Sequence, residues 1–122
     1  MANFFGATGI TVTDIRRSID FYTKILGMNV SDIFKQPYVD EVMLELAGSS
    51  SLLLMKGSAT PDDRNAVKLV FYVSDIVAIV AQVRIAGLRI VSAPQAALLR
   101  DGPLYSHVYD PDGYLVELLE LN

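Results

Sequence analysis

Glu117 has the strongest chemical claim of any residue in this chain. It stands in Tyr114-Leu115-Val116-Glu117-Leu118-Leu119-Glu120-Leu121, an apolar run too short for an ordinary helix and suited to a buried strand. Taking an unpaired carboxylate out of water is costly or forces it to take up a proton. A metal, a cation or a polar cavity open to solvent must therefore face it. His107, the only histidine, lies in Leu104-Tyr105-Ser106-His107-Val108-Tyr109. Strict alternation there puts Tyr105, His107 and Tyr109 on one face, a proton carrier between two phenols. Whether that face is also the face of Glu117 stays open, because the turn Asp110-Pro111-Asp112-Gly113 sets the parity. In Val42-Met43-Leu44-Glu45-Leu46, alternation groups Glu45 with Met43 on the less buried side.

The elements that must carry these residues repeat. Thr8 to Thr13 is β-branched and reads as a strand, and Asp14 stands where a helix N-cap belongs. Ile15, Ile19, Tyr22, Ile25 and Leu26 follow at helical spacing, and Gly27 ends the helix. Met28 to Phe34, Glu41 to Ala47 and Leu52 to Met55 read as three more strands. The second half repeats the order: a strand over Val67 to Val73, Asp75, an apolar helical stripe (Ile76, Ile79, Val80, Val83, Ala86) and Gly87. Leu88 to Val91, Leu104 to Tyr109 and Tyr114 to Leu121 then supply three strands. Asp14 and Asp75 are 61 residues apart, and Gly27 and Gly87 are 60 apart. A period this long is no solenoid repeat and indicates a duplicated βαβββ half-domain. The modules span about residues 4–57 and 66–122, joined by the polar stretch Lys56 to Asn65 within one domain of 122 residues.

Composition removes several function classes. A hydrophobic share of 52% suffices for a core, and a net charge of -4 with no basic run leaves nothing to neutralise phosphates, so no nucleic acid is expected. There is no cysteine, hence no thiolate nucleophile, thiolate metal site or disulfide. Met1 to Phe5 has no basic flank and too short an apolar run for a signal peptide, and no segment reaches membrane-spanning length. A cytoplasmic protein without membrane contact is expected.

Asp14-Ile15-x-x-Ser18-x-x-Phe21-Tyr22-x-x-x-Leu26-Gly27, with Asp110-Pro111-Asp112-Gly113-Tyr114-x-x-Glu117-Leu118, resembles the glyoxalase/bleomycin-resistance/dioxygenase superfamily, the vicinal oxygen chelate fold. The resemblance implies an α+β fold of two tandem βαβββ modules forming a curled sheet around a cleft, and a homodimer. It also implies where metal-dependent members hold their ion: on the first and last strands of each module. Here the first-strand positions carry Ala7 and Lys68, and the last-strand positions Leu53 and Glu117. An alanine methyl has no lone pair, and a protonated ammonium donates only. No tightly held metal and no other cofactor is expected; a divalent metal is the alternative if the ligand positions are misaligned. A shifted register would instead make Glu45 the acid of the first module.

The same resemblance would aim Lys68 and Glu117 into the cleft from neighbouring strands, the ammonium supplying positive charge where relatives place a cation. The pair is read either as a structural salt bridge or as an anchor for an anionic or carbonyl-bearing ligand. Tyr72, on the same strand face as Lys68, would line the wall; Tyr105, His107 and Tyr109 either join it or, if their face points outward, form a half-solvated sheet surface or a dimer contact. Ser92 to Pro103 is read as a loop over the cleft or against a second subunit, with Arg100 as an anion contact. Two functions follow: a protein binding a small, partly apolar or anionic molecule in a metal-free cleft, as drug-sequestering members do, or a lyase, isomerase or dioxygenase-like enzyme. The enzyme would use Lys68, Glu117 and His107, or a metal.

Overall fold

Strand, helix and three strands follow one another twice. In the computed structural model, which describes residues 5–35, 40–46, 51–57, 67–96 and 104–120, the first series is β1 (Ala7–Val12), α1 (Ile15–Asp20), a π-helical turn (Phe21–Ile25), β2 (Asn29–Lys35), β3 (Asp40–Glu45) and β4 (Ser51–Lys56). The second is β5 (Lys68–Val73), α2 (Ile76–Ile85), β6 (Ile90–Ala96), β7 (Leu104–Tyr109) and β8 (Leu115–Glu120). The chain divides into two compact units between Ala59 and Thr60. Each unit is α+β, with one four-stranded mixed sheet, ordered β1-β4-β3-β2 and β5-β8-β7-β6. In both, the last strand is inserted parallel to the first and antiparallel to the third. That insertion puts first-strand and third-strand side chains on either side of the last strand.

Each sheet buries one face under its helix. In the first unit Ile10, Val12, Val42, Leu44, Leu52 and Leu54 are buried, as are Phe21, Tyr22 and Leu26 of the helical segment. In the second, Val108, Val116 and Leu118 are buried with Ile76, Val80 and Val83 of α2. Each such side chain contributes about 1.5–3 kcal/mol, an upper bound because an unfolded chain is already partly collapsed. Glu117, which alternates with Val116 and Leu118, therefore projects from the opposite face of the sheet. Among the described residues no helix is long and apolar enough to cross a membrane.

The helix starts conform to the sequence. Asp14 Oδ1 accepts from Arg17 N and Asp75 Oδ1 from Ala78 N, both at 3.1 Å. Gly27 and Gly87 close the helices with φ of 80° and 75°, a region open to glycine at little cost. Glu120 adds a contact from the far end of β8, its Oε2 accepting from Ile76 N at 3.1 Å. Two carboxylates thus satisfy first-turn amides of α2, where the helix dipole favours negative charge. Asp75→Ala is expected to lower stability by about 1 kcal/mol, and Asp75→Asn by much less; urea denaturation of the two variants separates cap from charge.

Two expectations are corrected. The segment read as the start of a loop is strand as far as Ala96, with Pro94 inside it. Proline is tolerated there because β6 is a sheet edge, and the register slips between Ser92 and Gln95. The helix of the first unit does not run evenly to Leu26 either. It widens from Phe21, where Leu26 N donates to Phe21 O at 3.3 Å. The remainder of the long connection, including Arg100, lies outside the described residues, as do residues 36–39 and the linker residues 58–66.

Candidate functional site

β8 carries Glu117 between Val70 of β5 and His107 of β7. His107 is directly opposite, so the two side chains share the face of the sheet that α2 does not cover. His107 Nε2 lies 3.0 Å from Glu117 Oε1. An ionised carboxylate only accepts, so the imidazole donates. Lys68, two residues before Val70 on the neighbouring strand, brings Nζ to 3.7 Å from the same oxygen. Glu117 thus shares one oxygen between a hydrogen bond to an imidazole and an ion pair with an ammonium. Its side chain is 20% exposed and that of His107 24%, whereas Lys68 is 49% exposed. The carboxylate is therefore half-buried rather than enclosed, and its desolvation is offset by two partners.

A carboxylate at Nε2 favours the imidazole form that carries its hydrogen there. Because the chain has a single histidine, one imidazole signal reports on it. Long-range proton–nitrogen correlation spectra are expected to show His107 protonated at Nε2 in the wild type. In Glu117→Leu that preference should be lost, and an unchanged pattern would contradict the hydrogen bond.

The tyrosines surround the cluster unequally. Tyr105 meets the His107 ring edge to face, with centroids 5.7 Å apart. Tyr109 stands two residues beyond His107, and the Arg89 guanidinium lies 4.7 Å from its ring centroid. Tyr72 is opposite Leu119 and is 61% exposed. Lys68, Tyr72, Tyr105, His107, Tyr109 and Glu117 therefore belong to one sheet of one unit; Arg100 is outside the described residues.

The duplicated register tells what the first unit holds in the same places. Ala7 pairs with Ser51 as Lys68 pairs with Leu115, and Gly9 pairs with Leu53 as Val70 pairs with Glu117. Met43 is opposite Leu53 where His107 is opposite Glu117. Ala7, Leu53 and Met43 are thus the counterparts of Lys68, Glu117 and His107. Glu45 is opposite Ser51, in the place of Tyr109, so the shifted register that would make it the counterpart of Glu117 is not adopted. Among the described residues no three His, Cys, Asp or Glu side chains gather as a metal-binding group. At the cluster itself the available donors are one carboxylate and one imidazole, already bonded to each other, beside a cation.

Sequence reasoning left two residues unassigned: Arg89 and Glu120. Arg89 precedes a strand and acquires meaning only when the hairpin register sets it beside Tyr109. Glu120 carried a signal, since a carboxylate three residues after Glu117 must project from the helix-covered face.

The glyoxalase/bleomycin resistance protein/dioxygenase superfamily model matches residues 5–118. Comparison with curated protein sequences yields no match. Among solved structures, the trypanothione-dependent glyoxalase I of Leishmania major is 28% identical with a TM-score of 0.81, covering 98% of this chain and 87% of that one. An antibiotic binding protein of a Streptomyces species is 18% identical with a TM-score of 0.72, covering 100% and 99%. A superfamily domain from a Frankia species is 17% identical with a TM-score of 0.76 and full coverage of both chains. The latter two likenesses concern the fold alone. With the family model spanning both sheets and the duplicated βαβββ order beneath it, the chain belongs to the glyoxalase/bleomycin resistance protein/dioxygenase superfamily.

Proposed function

We propose that the uncovered face of the second sheet binds a small, partly apolar molecule through an anionic or carbonyl oxygen, and that it does so without a divalent ion. The carrying observation is Lys68, an ammonium beside the shared Glu117 carboxylate, at the position where the superfamily resemblance places a metal ligand. The donor chemistry supports this reading. Ala7 and Leu53 offer no lone pair, Lys68 offers only N–H donors, and Glu117 and His107 provide two of the three or four ligands a transition metal ordinarily takes. Lys68 lies beyond hydrogen-bonding distance of Glu117 and is half exposed, so its donors can turn to a ligand. Tyr72, Tyr105 and Tyr109 supply aromatic surface beside it.

A salt bridge with a purely structural role is the competing account, and exposure weighs against it. A pair this open to solvent contributes at most about 1 kcal/mol. A second functional reading comes from the bond between His107 and Glu117. A carboxylate that orients an imidazole suits it to proton transfer, so an enzyme of the lyase or isomerase type is the alternative. Likenesses to a glyoxalase I and to an antibiotic binding protein are compatible with either. A thermal-shift screen of aromatic antibiotics and 2-oxo acids tests the binding reading. Some of these compounds are expected to raise the melting temperature of the wild type; a flat response across both classes would refute it. Turnover of a binding 2-oxo compound, lost in His107→Gln with binding retained, would favour the enzyme.

A further inference from the structure

Lys68, Leu115 and Tyr109 form one row across β5, β8 and β7, since Lys68 pairs with Leu115 and Leu115 with Tyr109. The row ends at Arg89, whose carbonyl accepts from Tyr109 N at 2.9 Å and whose guanidinium lies over the Tyr109 ring. A cation therefore stands at each end, with a leucine and a phenol ring between them. Three strand spacings of about 4.8 Å separate the two backbones. Both side chains lean inward, Lys68 toward Glu117 and Arg89 over Tyr109, so the charges are closer together than that. The guanidinium lies 4.7 Å from the Tyr109 centroid, and its planar fork of N–H donors can grip a carboxylate with two parallel bonds.

We propose that the ligand of this face is a small dicarboxylate with an apolar or aromatic spacer: one carboxylate on Lys68, the spacer across Leu115 and Tyr109, the other carboxylate on Arg89. The proposal rests on the reading of Lys68 as an anion anchor and adds the second anchor and the ligand class. The first unit provides an internal comparison. Its corresponding row runs Ala7, Ser51, Glu45 and Asn29, with no cation and one carboxylate. Paired cations are thus particular to the second unit and not a by-product of the duplicated fold.

Isothermal titration calorimetry of the full chain with adipate and terephthalate, against hexanoate and benzoate, tests the assignment. Each dianion is expected to bind about tenfold more tightly than its matched monoanion, the value of a charge-assisted contact. Arg89→Met should collapse that ratio toward one, while Lys68→Met should weaken all four probes. Melting curves of both variants establish that they fold. A wild-type ratio near one, a ratio that survives Arg89→Met, or no binding by any probe overturns the proposal. If Lys68→Met weakens binding and Arg89→Met keeps the ratio, the dicarboxylate assignment fails alone. If Lys68→Met alters no affinity, the reading of Lys68 fails with it.

Discussion

Lys68→Ala is expected to abolish the ligand-induced rise in melting temperature while leaving the unliganded protein almost as stable as the wild type. The ammonium stands beside the shared carboxylate, and a charge-assisted hydrogen bond to a ligand oxygen is worth about 1.5–3 kcal/mol, or roughly ten- to a hundredfold in affinity. Its ion pair with Glu117 spans 3.7 Å with the lysine half exposed, so removing it costs the fold less than about 1 kcal/mol. The two effects are therefore separable in one experiment. Calorimetric titration gives the affinity, and a melting curve without ligand gives the stability. Equal ligand-induced shifts in variant and wild type would contradict the anchor; a large loss of unliganded stability would return Lys68 to a structural role.

The second large effect lies in the turn between β7 and β8. Asp110 is 3% exposed, and its Oδ1 accepts from both Asp112 N and Tyr114 N at 2.9 Å. Its backbone closes the same turn, with Asp110 N donating to Tyr114 O and Gly113 N donating to Asp110 O, each at 3.0 Å. Asp110→Ala removes the side-chain acceptor of the buried Tyr114 amide and of the part-buried Asp112 amide, and the expected loss is about 2–3 kcal/mol. Asp110→Asn, which keeps an oxygen in place, should lose less. Because this turn sets which face of β7 meets which face of β8, Asp110→Ala should also disturb the His107 imidazole signal. Denaturation midpoints of the two variants check the first effect, and nitrogen chemical shifts check the second. A stability loss in Asp110→Ala no greater than that of an exposed alanine substitution would contradict the account of the turn.

Much of the fold was readable because the chain states its order twice. Asp14 and Asp75 at helix starts, Gly27 and Gly87 at helix ends, and runs with period two mark elements that the structure places within a few residues. Less readable was anything that depends on how strands meet. The face of His107 relative to Glu117 hinged on the Asp110 turn, and only the register of β7 against β8 settles it. Pro94 falls in the stretch read as a loop, since nothing in the sequence says that β6 is an edge. Arg89 was invisible for the same reason, its neighbour Tyr109 being 20 residues away along the chain. Glu117, by contrast, stood out at once, because a carboxylate among aliphatic residues must be accounted for in any fold.

The internal register distinguishes the second unit from the first at the site itself. Ala7, Leu53 and Met43 occupy in the first unit the places of Lys68, Glu117 and His107 in the second. One copy of the duplicated sheet carries an apolar set at these places and the other a polar and charged one.

Elemental analysis of purified, dialysed protein tests the central claim most directly. With an amine beside a single carboxylate, nickel, zinc, iron and manganese are all expected far below one ion per chain, in wild type and Glu117→Gln alike. A full equivalent of any of them, retained through dialysis and lost in Glu117→Gln, would show that this carboxylate grips a metal and that Lys68 does not stand in for one.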